Sequence, residues 1–431
     1  MKFYSTNNKS ITCSLKEAVF KGLAPDNGLF MPQRFPVLTR SEMEAIKSSN
    51  LTEIGIIISE KLFGEDIPQP DLVRLVGEAI NFDTPVVKIE DNLYTVELFH
   101  GPTLAFKDVG ARFMSRMLEH FTRDRTAEVH VLVATSGDTG SAVANGFLGA
   151  KGIRVHVLYP SGMVSPLQEK QFTTLGQNIT ALEVSGTFDD CQRLVKKAFL
   201  DPDLSEKLTL TSANSINLAR LLPQSFYYFR AWNQVPGKDI FFSVPSGNYG
   251  NLTAGLIARE MGLPVHKFLS ANNINDVVPE YLQSGVFVPR PSVTTIANAM
   301  DVGNPSNFAR ILDIFSGKHE RVTHHIEGYS YTDDEIREII KSVYKNTGYV
   351  CDPHGATGYQ AARTYMNHHE GVTGIFLETA HPAKFTEIID PLIGRPCRVP
   401  ERLSAFSGRK KQALKIGNEY EAFKEYLWSL N

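Results

Sequence analysis

Val131-Leu132-Val133-Ala134-Thr135-Ser136-Gly137-Asp138-Thr139-Gly140 runs from four apolar residues into a short loop of hydroxyls, one acid and two glycines, with helix-compatible sequence after it. An apolar run of strand length that ends on such a loop and opens a helix is the βα step of a parallel sheet. The same order recurs at Phe241-Phe242-Ser243-Val244-Pro245-Ser246-Gly247-Asn248-Tyr249-Gly250-Asn251 and at Ile375-Phe376-Leu377-Glu378-Thr379-Ala380-His381-Pro382. Counting these, strands are expected at 93–99, 129–134, 155–159, 239–244, 265–270 and 374–377, with amphipathic helices between them. The fold class is therefore α/β with mostly parallel sheets, and the three loops fall at the carboxyl ends of their strands, the edge where open α/β sheets bind ligands.

Outside these segments the chain divides into three. Residues 1–92 are irregular in pattern, with a turn-rich stretch Ala24-Pro25-Asp26-Asn27-Gly28 and helical periodicity over 41–62, and are expected to form an N-terminal cap domain. Residues 93–235 and 236–431 are expected to form a smaller and a larger α/β domain, closed by a helix over 420–430. A chain of 431 residues, 42% hydrophobic and 21% charged, can bury cores of that size.

The formal net charge of −3 comes from interspersed charges. No basic stripe could counter a phosphate backbone, so nucleic acid is not expected as a partner. Residues 54–58, the most apolar stretch, are too few to span a bilayer, and the N-terminus lacks an apolar core of signal-peptide length; the expected location is the cytoplasm. Cys13, Cys191, Cys351 and Cys397 form no C-x-x-C pair, which points to buried thiols without zinc or a disulfide framework. The pairs His324-His325 and His368-His369 are adjacent in sequence, no H-E-x-x-H occurs, and no metal site is expected.

One lysine invites covalent chemistry. His100-Gly101-Pro102-Thr103-Leu104-Ala105-Phe106-Lys107-Asp108 places Lys107 between small or apolar residues and a helix-forming stretch. Desolvation beside Leu104, Ala105 and Phe106 would lower its pKa toward the nucleophilic neutral amine, the condition under which lysines form Schiff bases. Alone, Lys107 would more often be a surface charge. Ser246–Asn251 can wrap a phosphate, because glycines let successive N–H groups converge while the helix expected at 252–261 points its positive end at the anion; an ordinary βα turn is the alternative. Neither a Walker A loop nor a G-x-G-x-x-G fingerprint is present. Ser136, Asp138 and Thr139 suit a carboxylate at a second helix start, or cap that helix, or both. In Asn214-Ser215-Ile216-Asn217-Leu218-Ala219-Arg220, Asn217 and Arg220 stand one helical turn apart. An arginine forked toward an anion and a surface arginine beside a polar turn are both open there. His381 is expected to make a structural hydrogen bond, and Lys384 to be a solvated charge, with attraction for an anionic substrate as its other reading.

Taken together these motifs resemble the threonine synthases, pyridoxal-phosphate enzymes of the fold shared with the tryptophan synthase β subunit. The likeness extends over nearly the whole chain, including Lys21-Gly22-Leu23-Ala24-Pro25-Asp26 and Ser165-Pro166-Leu167-Gln168-Glu169-Lys170. The resemblance implies two parallel-sheet-containing α/β domains of the tryptophan synthase β-like type, the smaller with the cofactor lysine and carboxylate loop, the larger with the phosphate loop. It implies pyridoxal 5′-phosphate as cofactor, held covalently by Lys107, with its phosphate on Gly247, Asn248, Tyr249, Gly250 and Asn251 and its ring nitrogen on Thr379. It further implies O-phospho-L-homoserine as substrate, with Ser136, Asp138 and Thr139 around its carboxylate and the ring, Asn214 and Arg220 at its phosphate, and L-threonine and phosphate as products of γ-elimination and β-addition of water. Many relatives in the wider fold have asparagine at the position of Asp138, and some have aspartate at that of Asn251. A dehydratase or phospho-lyase on the same fold, and a non-catalytic ligand sensor, are the rival readings; monomer and homodimer both remain open.

Overall fold

Why the three loops meet is explained by two parallel sheets, seen in a computed structural model of the chain that describes residues 1–430. Strands β1 (Lys2–Ser5), β2 (Thr12–Ser14) and β3 (Phe30–Pro32) form a small antiparallel sheet in the cap, in the order β2-β1-β3. The larger sheet contains β4 (Val86–Glu90), β5 (Leu93–Glu97), β10 (Ile240–Pro245), β11 (Lys267–Asn272), β12 (Ile326–Ser330) and β13 (Thr373–Glu378), and the smaller one β6 (Val129–Ala134), β7 (Ile153–Pro160), β8 (Ile179–Val184), β9 (Thr209–Ser212) and β14 (Leu414–Ile416).

Their orders are β12-β11-β10-β13-β5-β4 and β14-β8-β7-β6-β9, parallel throughout except for β4. Every residue of β6, β10 and β13 is buried, as expected of strands covered by helices on both faces. β10 and β13 are neighbours, with Phe242 opposite Ile375, which sets the Ser246 and Thr379 loops side by side at one edge.

The sheets do not follow the linear division at residues 92 and 235. β5 lies between β13 and β4 in the larger sheet, and β14 pairs with β8 in the smaller. Both strands complete a sheet whose other members lie far along the chain, which sequence order alone cannot show. The periodicity over 41–62 likewise resolves into two helices, Arg40–Ser48 and Leu51–Phe63. Asn50 starts the second: Glu53 N donates to Asn50 Oδ1 at 3.0 Å and Asn50 N to Glu53 Oε2 at 2.8 Å, a reciprocal cap that ends continuity.

Helix Lys107–Thr122 packs along helix Asp138–Phe147, and Gly146 permits their approach: a Cβ there would stand 3.1 Å from the backbone of Ala111 and Arg112. Cys13, Cys191 and Cys351 are buried thiols and Cys397 is partly exposed. Among the described residues no helix is long and apolar enough to cross a membrane.

Candidate active site

Backbone hydrogen bonds stitch the Lys107 loop to the Thr379 loop. Phe106 N donates to Thr379 O at 2.9 Å, His381 N donates to Leu104 O at 3.1 Å, and Ala105 bridges Ala380. Leu104 takes φ 59° to make the turn, a left-handed conformation that L residues avoid and that strained functional loops retain. Lys107 then opens its helix. Asp108 turns back into the loop, accepting from Thr103 N at 2.9 Å and Thr103 Oγ1 at 2.6 Å, and burial pushes its carboxyl up.

The Lys107 ammonium has no hydrogen-bonding or ion-pair partner among the described residues and lies 5.7 Å from the Phe106 ring centre. Burial pushes it down to about 8; the Asp138 charge opposes the fall, while Arg220 and Lys384 add to it. An amine in that range is partly neutral at physiological pH and can attack a carbonyl.

Across from it, the Ser136–Gly140 loop is internally tied. Thr135 Oγ1 accepts from Gly137 N at 2.9 Å and Gly140 N at 2.8 Å, and the Asn214 amide clasps Ala134, donating to its carbonyl at 2.9 Å and accepting from its N–H at 3.3 Å. Ser136 and Thr139 remain partly exposed. Asp138 Oδ1 accepts from Lys384 Nζ at 2.8 Å and from Gln168 Nε2 at 2.9 Å. Burial by itself would raise the Asp138 carboxyl, but the Lys384 and Lys107 ammoniums hold it well below the usual carboxylate range.

Lys384 corrects an expectation. Its side chain is fully buried, in the 3₁₀ turn Pro382–Phe385, and ties the larger sheet's loop to Asp138 of the smaller. The burial comes from tertiary packing; nothing local in sequence marks it. Gln168 lies in one of the motifs carrying the family resemblance, and its contact with Asp138 gives that motif a local meaning. His381 Nδ1 accepts from Ala383 N at 3.1 Å, the structural bond expected of it.

The third loop leaves its N–H groups open at a helix start. Tyr249 takes φ 60° and its hydroxyl is held by Ser270 Oγ at 2.7 Å and Asn272 Oδ1 at 3.0 Å. Helix Gly250–Glu260 begins immediately after it. Among the described residues, no backbone N–H from Gly247 to Asn251 has a hydrogen-bond partner. A Cβ on Gly247 would stand 2.7 Å from Ala299 O and 2.8 Å from Met300 Cα, so only glycine lets these chains touch. Asn251 Oδ1 accepts from Tyr227 and Tyr228 hydroxyls at 2.8 and 2.7 Å, which leaves its buried Nδ2 without a partner.

Arg220 is buried, donates from Nη1 to Ala213 O, and has an unpartnered buried Nε. Burial pushes it down to about 10, so it stays charged. Asn217 is spoken for elsewhere: it caps helix Leu218–Leu221 and donates to Val19 O in the cap at 2.9 Å.

A buried cluster under Thr379 escaped the sequence reading. Asp352 accepts from Ala380 N at 3.1 Å and from His354 Nδ1 at 2.6 Å, and His354 Nε2 accepts in turn from Ala299 N at 3.2 Å, beside Gly247. Glu378 packs against Asp352, and burial followed by that neighbouring charge drives its carboxyl well above the usual range. Asp-Pro-His at 352–354 resembles a plain helix start, and Asp352 does cap one; its partners Glu378 and Ala380 lie 26 and 28 residues away.

Open N–H groups at a helix start, an orphaned Asn251 amide, an orphaned Arg220 Nε and an unpaired, half-buried lysine together fit a phosphorylated aldehyde. Residues 80–374 match the family described as pyridoxal-phosphate dependent enzyme. The protein is thus a pyridoxal-phosphate-dependent enzyme of the α/β class. Residues 2–80 match the threonine synthase N terminus and 355–427 the threonine synthase C-terminal family. The chain is 44% identical over 408 residues to a threonine synthase of Escherichia coli, with 94% of each covered. The crystal structure of threonine synthase from Escherichia coli superposes with a TM-score of 0.94 at 39% identity over 100% of both chains. The PLP-bound threonine synthase from Brucella melitensis gives 0.92 at 34% identity, covering 99% of this chain and 98% of that one. The chain belongs to the threonine synthase family.

Proposed function

We propose that this enzyme converts O-phospho-L-homoserine and water to L-threonine and phosphate, in the cytoplasm. The observation that carries the substrate is the charge balance around Lys107: the Arg220 and Lys384 cations both act on its amine, and Asp138, paired with Lys384, is the one carboxylate that opposes them. A surplus of buried positive charge suits a substrate bearing both a carboxylate and a phosphate. A dehydratase acting on an unphosphorylated amino acid has no need for it.

Pyridoxal phosphate, when bound, supplies an electron sink for bonds broken next to the substrate amine. Lys107 would hold it covalently, and the N–H groups of Gly247, Asn248, Tyr249, Gly250 and Asn251 would bind its phosphate. Thr379 would offer the ring nitrogen a hydroxyl rather than a carboxylate, which would favour elimination and addition over transamination. Ser136 and Thr139 would receive the substrate carboxylate at the start of helix Asp138–Phe147, with Asp138 on the side of the ring. Arg220 takes the substrate phosphate through its free donor, with Asn214 holding the Ser136 loop in place beside it. The Lys107 amine, once free, would accept the α-proton and then a β-proton as phosphate leaves the γ-carbon. It would return one proton to the γ-carbon, which becomes the methyl group, and, after water adds at the β-carbon, another to the α-carbon.

The test is to supply O-phospho-L-homoserine to the wild type and to Lys107→Ala, measuring threonine and inorganic phosphate together. Equal release of both by the wild type, falling at least about a thousandfold in the variant, is expected. Phosphate with an oxo acid in place of threonine would sink the assignment in favour of a lyase, and no turnover would favour a sensor.

A further inference from the structure

Arg310 is the largest fully buried side chain of the protein, and no carboxylate pairs with it. It lies in helix Phe308–Ile314, outside the motifs that carry the family resemblance. All five of its N–H groups are used. Nε and Nη2 donate to Phe30 O at 3.2 and 3.0 Å, Nη2 to Ile216 O at 2.7 Å, and Nη1 to Ser215 O at 3.2 Å and Asn307 Oδ1 at 2.6 Å. One guanidinium thus joins strand β3 of the cap, the loop after β9 of the smaller sheet, and the helix start beside the phosphate loop.

Its partners in turn hold that loop. Asn307 Nδ2 donates to Asn248 O at 3.0 Å, Asn248 Nδ2 donates to Ser215 Oγ at 2.7 Å, and Ser306 N donates to Asn248 Oδ1 at 2.6 Å. A buried cation satisfied only by carbonyl dipoles remains an uncompensated charge, which is costly unless an anion comes near. The open N–H groups of Gly247–Asn251 are where such an anion would be received.

We infer that Arg310 is a positioning residue for the cofactor phosphate: it fastens the cap to the Asn248 turn, and its unpaired charge, one hydrogen-bonded residue removed from the loop, is balanced by the bound dianion. The inference rests on the Gly247–Asn251 loop being the phosphate cradle. It makes the cap part of the support of the cofactor site, through the Phe30 carbonyl.

Cofactor-stripped protein is refilled with pyridoxal 5′-phosphate or with pyridoxal, which has the same aldehyde and ring but no phosphate, and binding is followed by the visible absorption band. The readout is the ratio of the two dissociation constants. Arg310→Met is expected to reduce the preference for the phosphorylated form by about tenfold or more, pyridoxal binding changing little. Arg310→Lys keeps the charge and loses the tether; it should hold the wild-type preference within about threefold while unfolding at a lower temperature. Should Arg310→Met fail to fold, Asn307→Asp lays a carboxylate against Nη1 and is expected to lower the preference likewise. A wild-type ratio in Arg310→Met or in Asn307→Asp, or a lysine variant as poor as the methionine one, would overturn the role of Arg310. A wild type that does not distinguish pyridoxal from its phosphate would overturn the cradle itself.

Discussion

The Ser136–Gly140 and Gly247–Asn251 loops satisfy their polar groups to different extents. In the Ser136–Gly140 loop the charge and two of the amides are closed on the protein itself: Thr135 takes Gly137 N and Gly140 N, and Asp138 takes Lys384 and Gln168, while the N–H groups of Ser136, Asp138 and Thr139 have no partner among the described residues. In the Gly247–Asn251 loop the donors are open, with side chains holding only the shape of the turn. Closed groups contribute to folding with or without a ligand; open ones, desolvated and unpaired, favour the bound state. One loop is therefore an oriented wall and the other a socket, and each should respond differently to substitution.

The largest effect is expected at the wall. Lys384→Met leaves Asp138 as an unpaired buried carboxylate and should cost about 3–5 kcal/mol in denaturant unfolding of the cofactor-free protein. Asp138→Asn in the same chain should recover most of that loss, since the pair then has no charge left to balance. If the double variant is as unstable as the single, Asp138 is not held by its partner's charge and the contrast between wall and socket fails.

Lys107 supplies a pH test. Its folded value, about 8, lies below the reference 10.5, so between those pH values the unfolded chain binds more protons than the native one. Stability of the cofactor-free protein should consequently rise with pH across that window. Lys107→Met should gain roughly 1–3 kcal/mol at pH 7, the gain vanishing as pH approaches 10.5. Unfolding curves at pH 7 and pH 10 measure it; an equal difference at both would mean the lysine is not desolvated.

The smallest effect sharpens the socket. Gly247→Ala pushes a methyl into Ala299 O and Met300 Cα. It should weaken cofactor binding about tenfold while changing the stability of the cofactor-free protein by roughly 1–3 kcal/mol. Titration with cofactor separates the two, and a change in stability with no change in affinity would deny the loop its role.

Local grammar explains what could be read beforehand. Ser136–Gly140 and Ser246–Asn251 announce themselves because a glycine-rich polar step after an apolar run is confined to a few consecutive residues. Asn50, which divides the helices at 40–63, carries its signal just as locally in Glu53 three residues on, and that spacing would have located the break. Lys384, Arg310 and the Asp352–His354–Glu378 cluster are different. Each is buried by segments tens to hundreds of residues distant, as Arg310 is by Phe30, so charge in the sequence reads as solvated surface until packing removes the water. Strands β8 and β9 went unread because their residues lack an extended apolar run of their own, and β14 because two of its three residues are exposed.

The exchange of strands between the sheets has a consequence for biogenesis. β14 closes the free edge of β8, yet its residues are 414–416 of a 431-residue chain, and β5 waits nearly three hundred residues for β13. During synthesis the early strands are on hand long before their neighbours, and loop closures of that length make for slow folding. The unpaired backbone of β8 is then a template for wrong pairing until residues 414–416 leave the ribosome. Truncating the chain before residue 414 would prolong that hazard indefinitely, turning a passing stage of folding into a standing invitation to aggregate.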